Sequence, residues 1–275
     1  MRGEQNGRLA LYLVMTFGIT WVCWWPLASL IPSGSGVFSN PTFITLYLVG
    51  GLGPTLAALL AVAFTPHEGS LAVYGASLTR WRVPLAWYVA AFLLPPILAF
   101  TLDLLAAWFA AQTPSFPAFR DPARIPLIFL TMILGGGLEE LGWRGVAQPM
   151  LERRLSRLKS AAIVGIAWAL WHVPLFFIHS VSQYGANFEL FAADVVGNAF
   201  LLAWIYGGTS SILVCVLFHA ASNTSATLGL NAWDGSPQMA WIGAAVKIAL
   251  GAALILLLPR FKQPNPPPPL GALLP

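Results

Sequence analysis

The chain has 275 residues, of which 57% are hydrophobic and only 9% charged, with a mean hydropathy of +0.73. A water-soluble domain carries roughly 25% charged residues to solvate its surface, so this composition excludes an ordinary soluble enzyme and requires a surface that mostly faces lipid. The formal net charge of +4 calls for no nucleic-acid partner, and Cys23 and Cys215 lie in apolar runs where neither a disulfide framework nor a thiolate metal cluster is expected.

A helix that crosses a membrane needs about 20 apolar residues at 1.5 Å of rise each. Eight segments qualify, some interrupted, at about 9–31, 41–64, 84–111, 125–150, 160–178, 190–207, 209–229 and 237–258. The first follows the basic start Met1 to Arg8, but it exceeds the roughly 7–15 residues of a signal-peptide core and lacks a small-residue cleavage site, so a retained helix is expected. Between the second and third, "SLAVYGASLTRWRVPLAW" mixes aromatic and basic residues in a way that suits a short helix at the headgroup level. The sixth and seventh segments meet at Gly207 and Gly208, which leaves seven spans as the alternative count. Residues 263–275 are proline-rich and read as an extended tail after a single transmembrane domain, residues 1–262.

Basic residues collect in cytoplasmic loops next to spans. With the N-terminus inside, Arg2, Arg8, Arg80, Arg82, Arg153, Arg154, Arg157, Lys159, Arg260 and Lys262 fall on the cytoplasmic side, and only Arg120 and Arg124 outside. That split favours an all-α, polytopic bundle of about eight helices with both termini cytoplasmic. The membrane is then the plasma membrane in a prokaryote and the endoplasmic reticulum in a eukaryote.

Charge within a span is costly and invites a function. The stretch Leu134 to Gly145, "LGGGLEELGWRG", places Glu139, Glu140 and Arg144 inside the fourth segment. On a helix Glu140 and Arg144 stand at i and i+4 and neutralise each other, while Glu139 points about 100° away. Glu140 therefore reads as a structural ion pair with Arg144, and Glu139 is free to face a polar cavity as a general base. His172 follows Trp168 by four residues and precedes Pro174; His219 precedes Asn223 by four. Taken singly, each histidine reads as a helix-packing hydrogen-bonder. Taken together, Glu139, His172, His219 and Asn223 supply a base, a second basic nitrogen and two donors from three spans, at roughly 9, 18 and 15 Å from the cytoplasmic face. They can meet in a polar cavity open to the cytoplasmic half. Asp194 and Lys247 read as a pair or as snorkelling side chains, and Asp103 as a helix-packing polar group.

Glu139-Glu140-Leu-Gly-Trp-Arg144, Trp168 with His172, and His219 with Asn223 resemble the three motifs of the type II CAAX prenyl endopeptidases, the CAAX protease and bacteriocin-processing group. The resemblance covers about 125–229, with tryptophan at 168 where the family uses phenylalanine. It implies an intramembrane endopeptidase that cuts near the C-terminus of a membrane-associated, lipidated or unlipidated peptide. In it Glu139 and His172 activate water while His219 and Asn223 stabilise the oxyanion. Glu139, His172 and His219 are also the set that zinc would need, with water as fourth ligand. His67-Glu68 does not continue into H-E-x-x-H, and asparagine is a poor zinc ligand, which favours a water mechanism in which a metal is optional or absent. The competing readings are a proton-coupled transporter using the same residues as a relay, and a noncatalytic binding or immunity scaffold.

Overall fold

The computed structural model describes residues 2–32, 34–64, 70–109, 121–230 and 236–257. His67-Glu68, Arg120, Arg260, Lys262 and the 263–275 tail lie outside the described residues. Among the described residues every regular element is helical: α1 (Arg2–Leu30), α2 (Pro41–Gly51), α3 (Gly53–Phe64), α4 (Ser70–Leu78), α5 (Leu85–Phe109), α6 (Ile125–Leu134), α7 (Glu140–Gly142), α8 (Gln148–Glu152), α9 (Arg157–Trp171), α10 (Phe188–Thr209), α11 (Ile212–Thr227) and α12 (Pro237–Leu257), with short 3₁₀ and π turns between.

Helix starts follow local chemistry. Asn40 caps α2 by accepting from the Thr42 N–H at 2.7 Å, with Pro41 at the first position where its missing donor costs nothing. Asn187 caps α10 through the Leu190 N–H at 2.9 Å, and Ser211 caps α11 through the Val214 N–H at 3.2 Å. The α10–α11 turn falls at Ser210, which is left-handed at φ 49°. The expected tight junction between the two segments thus lies just past Gly207 and Gly208, which are helical residues used for close packing: a Cβ on Gly207 would meet the Arg157 guanidinium, and one on Gly208 the Trp87 ring.

Among the described residues six helices are long and apolar enough to cross a membrane, or seven if α2 and α3, bent by 54°, form one span. The seventh expected segment corresponds to α11, whose 16 residues fall short of a spanning length. The protein is thus an all-α polytopic membrane protein. Apolar side chains point outward along the middle of its helices, with Val22 74% and Ile97 56% exposed, whereas Glu140, Arg144 and Gln148 are 0% exposed. A soluble fold reverses this distribution. The expected short helix after the second segment is present as α4.

Packing places the irregular stretch 135–148 at the centre. α1 packs on α2 and α3, α11 on α5 and α6, and α10 on α9 and α12, while the segment around α7 touches α1, α3 and α11. One buried stripe on α1 steps every fourth residue through Arg8, Tyr12, Thr16, Thr20 and Trp24, the spacing that keeps side chains on one helix face. It contributes directly to this centre: the Thr20 hydroxyl donates to the Gly50 carbonyl at 2.7 Å and accepts from the Trp171 indole at 2.6 Å. Lys247 and Asp194 form an ion pair at 2.5 Å between α12 and α10, with Asn198 donating to Asp194 at 3.1 Å. Pairing, rather than snorkelling, resolves these charges.

Candidate active site

The fourth span is not one helix. α6 ends at Leu134, and Gly135 to Gly137 break the ladder; a 3₁₀ turn over Gly137–Glu139, the single turn α7, and a π turn over Trp143–Ala147 then precede α8. Backbone groups released by such a break need other partners inside a membrane. Thr55 of α3 donates to the Leu138 carbonyl at 2.7 Å, Tyr74 of α4 donates to the Leu141 carbonyl at 3.1 Å, and the Glu139 N–H bonds to the Gly136 carbonyl at 2.9 Å. Neighbouring helices thereby hold Glu139 and Glu140 in a shape that a regular helix would not give. The segment expected over 125–150 is thus an interrupted one, and the regular helix used to place Glu139 about 100° from Glu140 does not hold there.

Glu140 and Arg144 do pair, with Nη1 to Oε2 at 3.0 Å and no exposed surface on either side chain. Arg144 also donates to the Ala199 carbonyl of α10 at 3.4 Å. Yet Glu140 is more than a structural counter-ion. Its Oε1 accepts from His219 Nδ1–H at 2.8 Å, so the carboxylate joins the fourth span to α11 and orients an imidazole named as a site candidate. The two residues are 79 apart in sequence, and no local pattern reports their contact.

Glu139 is 7% exposed and its Oε2 accepts from the Trp168 indole N–H at 2.6 Å. Trp168 lies in the last turn of α9. Pro174 brings no N–H to the Leu170 carbonyl, and its ring crowds that turn. The end of α9 tightens so that the His172 N–H bonds to the Ala169 carbonyl at 3.1 Å, which leaves the Trp168 carbonyl for the His172 side chain at 2.8 Å. A carbonyl can only accept, so His172 Nδ1 carries the proton there and Nε2 keeps its lone pair. The His172 ring packs edge-on against Trp171 and Phe191, at 4.6 and 5.0 Å between centroids.

Trp168 gathers the other members as well. Its ring meets His219 edge-on at 5.1 Å and lies under the Arg144 guanidinium at 5.2 Å. His219 is 4% exposed, and Asn223, one turn later on α11, is half-buried. A Cβ at Gly136 would stand 3.0 Å from His219 Nε2 and collide with Asn223 Nδ2. Both side chains thus converge on bare backbone at the chain break, so glycine at 136 is required by close approach.

The chain brings Glu139, His172 and His219 together around Trp168, with His219 and Asn223 adjoining at Gly136. The zinc set does not fit: among the described residues no three His, Cys, Asp or Glu side chains are grouped to hold an ion, Glu139, His172 and His219 included. Two open cavities, of about 620 Å³ between α1 and residues 176–185 and about 290 Å³ between α9, α10 and α12, are lined by none of the four candidates. The polar cavity expected around the site corresponds to neither. Sequence reasoning also missed the Trp168 indole as a polar member. Its signal was the spacing of four before His172, which places both on one helix face.

Glu139, His172 and His219 thus gather around Trp168, with Asn223 beside His219 at the broken helix, and comparison says what such a chain is similar to. The type II CAAX prenyl endopeptidase Rce1-like family matches residues 121–225, which hold all of these groups. A CAAX prenyl protease 2 of Methanococcus maripaludis is 27% identical over 234 residues, covering 79% of this chain and 83% of that protein. Over the residues that carry the site the chain is thus similar to the CAAX prenyl endopeptidases.

Proposed function

We propose that the chain cleaves a peptide bond near the C-terminus of a prenylated, CAAX-type substrate within the membrane, with Glu139, His172, His219 and Asn223 as its catalytic residues. The substrate class rests on the family and on the archaeal relative's name. The observation that carries the residue roles is the junction at Trp168, whose indole holds Glu139, whose carbonyl holds His172 and whose ring touches His219.

In this reading Glu139 takes a proton from a water held between it and His172 Nε2. The hydroxide attacks the scissile carbonyl, and the oxyanion accepts hydrogen bonds from the amide of Asn223 and from the Nε2–H of His219, which this reading takes as the imidazolium, its Nδ1–H held by the Glu140 carboxylate. Collapse breaks the C–N bond, and the proton gained by Glu139 passes to the departing amine. Each donor removed from an oxyanion site costs about 10²–10³-fold in kcat in well-studied hydrolases. With His219 Nδ1–H committed to Glu140, Nε2 is the nitrogen left to face the substrate. No step needs a bound metal.

The proposed topology puts both termini in the cytoplasm. Arg8 and Arg153 lie within range of each other's charge, and Arg80 and Arg157 both lie within charge range of Tyr206 near the end of α10, which supports the placing of these basic residues on one side.

The test uses purified full-length chain in liposomes with farnesylated and unmodified C-terminal peptides, with product masses and proton flux recorded together. The proposal expects release of a short C-terminal peptide from the farnesylated substrate. Substrate-driven proton flux without hydrolysis would establish the transporter instead, and binding without either would establish a scaffold.

A further inference from the structure

Tryptophan at 168 is unusual in chemistry, not merely in size. Phenylalanine, the residue at this place in the motif that the chain resembles, fills the same position with a ring but has no donor. Here the indole N–H meets Glu139 Oε2 at 2.6 Å between side chains that are 4% and 7% exposed. A carboxylate in so dry a place is costly unless hydrogen-bonded, and a bond to a charged acceptor is about twice as strong as a neutral one. The ring itself is held by the Arg144 guanidinium over it at 5.2 Å and by a T-shaped contact with the His219 ring at 5.1 Å. Its N–H is therefore held in direction before any substrate arrives.

We infer that Trp168 is a positioning residue for the reaction: its indole N–H ties one oxygen of Glu139, leaving Oε1 to take the proton from water, while its carbonyl fixes the His172 ring that flanks the same water. This rests on the proposed role of Glu139 as base. One residue thus sets the orientation of both groups that face the water, through its side chain in one case and its backbone in the other. Misplacing such groups by about 1 Å costs about 10²-fold in rate.

The experiment replaces Trp168 with 3-benzothienylalanine, which keeps the shape of indole but lacks the N–H, alongside Trp168→Phe and Glu139→Gln. Each full-length chain is assayed in liposomes with a farnesylated peptide, and kcat, KM and unfolding temperature are measured. The expected result for the benzothienyl chain is a fall in kcat of about 10- to 100-fold, with KM within about two-fold of the parent and an unchanged unfolding temperature. A parental kcat, or a rise in KM alone, overturns the inference, whatever the stability of the phenylalanine variant. Parental activity in Glu139→Gln instead overturns the base assignment, so the two failures are told apart.

Discussion

The adjacent carboxylates divide their work differently from what helix geometry alone suggests. Glu139 stands on Trp168, and Glu140 stands on both Arg144 and His219. Glu140→Gln is therefore expected to lower kcat through the loosened His219 and also to lower the folded yield, because breaking one partner of a buried ion pair costs about 3–5 kcal/mol. Activity and unfolding temperature measured on the same preparation check this; loss of stability at a parental kcat would return Glu140 to a purely structural role. Gly136→Ala belongs at the same scale. Its methyl group would press on His219 Nε2 and Asn223 Nδ2, and kcat is expected to fall at least about ten-fold at constant folded yield.

At the scale of elements, chain breaks do the positioning. Pro174 ends α9 so that the Trp168 carbonyl is released to His172. Pro174→Ala restores an N–H to that turn and lets α9 extend, so kcat is expected to fall about ten-fold or more while the unfolding temperature holds or rises; unchanged activity would detach the proline from the site. This is also where the sequence could be read only in part. Apolar length showed where most helices run, and the i, i+4 spacing correctly paired Glu140 with Arg144. Three glycines before Glu139 were visible too, yet their effect depended on Thr55 and Tyr74, donors from other helices that replace the lost ladder. Gly207 and Gly208 resemble a turn in sequence but serve as contact surface for Arg157 and Trp87. Contacts across 79 residues, such as Glu140 with His219, leave no local trace.

For the whole molecule, the balance between lipid and interior sets both stability and chemistry. The Lys247–Asp194 pair fastens α12 to α10 within the apolar belt, and an unpaired charge there costs about 2.5–3.5 kcal/mol on insertion scales. Asp194→Ala alone is expected to reduce folded yield, and adding Lys247→Met to restore most of it; failure of the second change to rescue would show that the pair is not the fastening. The larger claim is that a water held among Glu139, His172, His219 and Asn223 does the hydrolysis. The most direct measurement compares kcat for a farnesylated C-terminal peptide between the parent chain and Glu139→Gln, both in liposomes and matched for unfolding temperature. General-base removal predicts a loss of about 10²–10⁴-fold; a Glu139→Gln chain that cleaves at the parental rate would contradict the account.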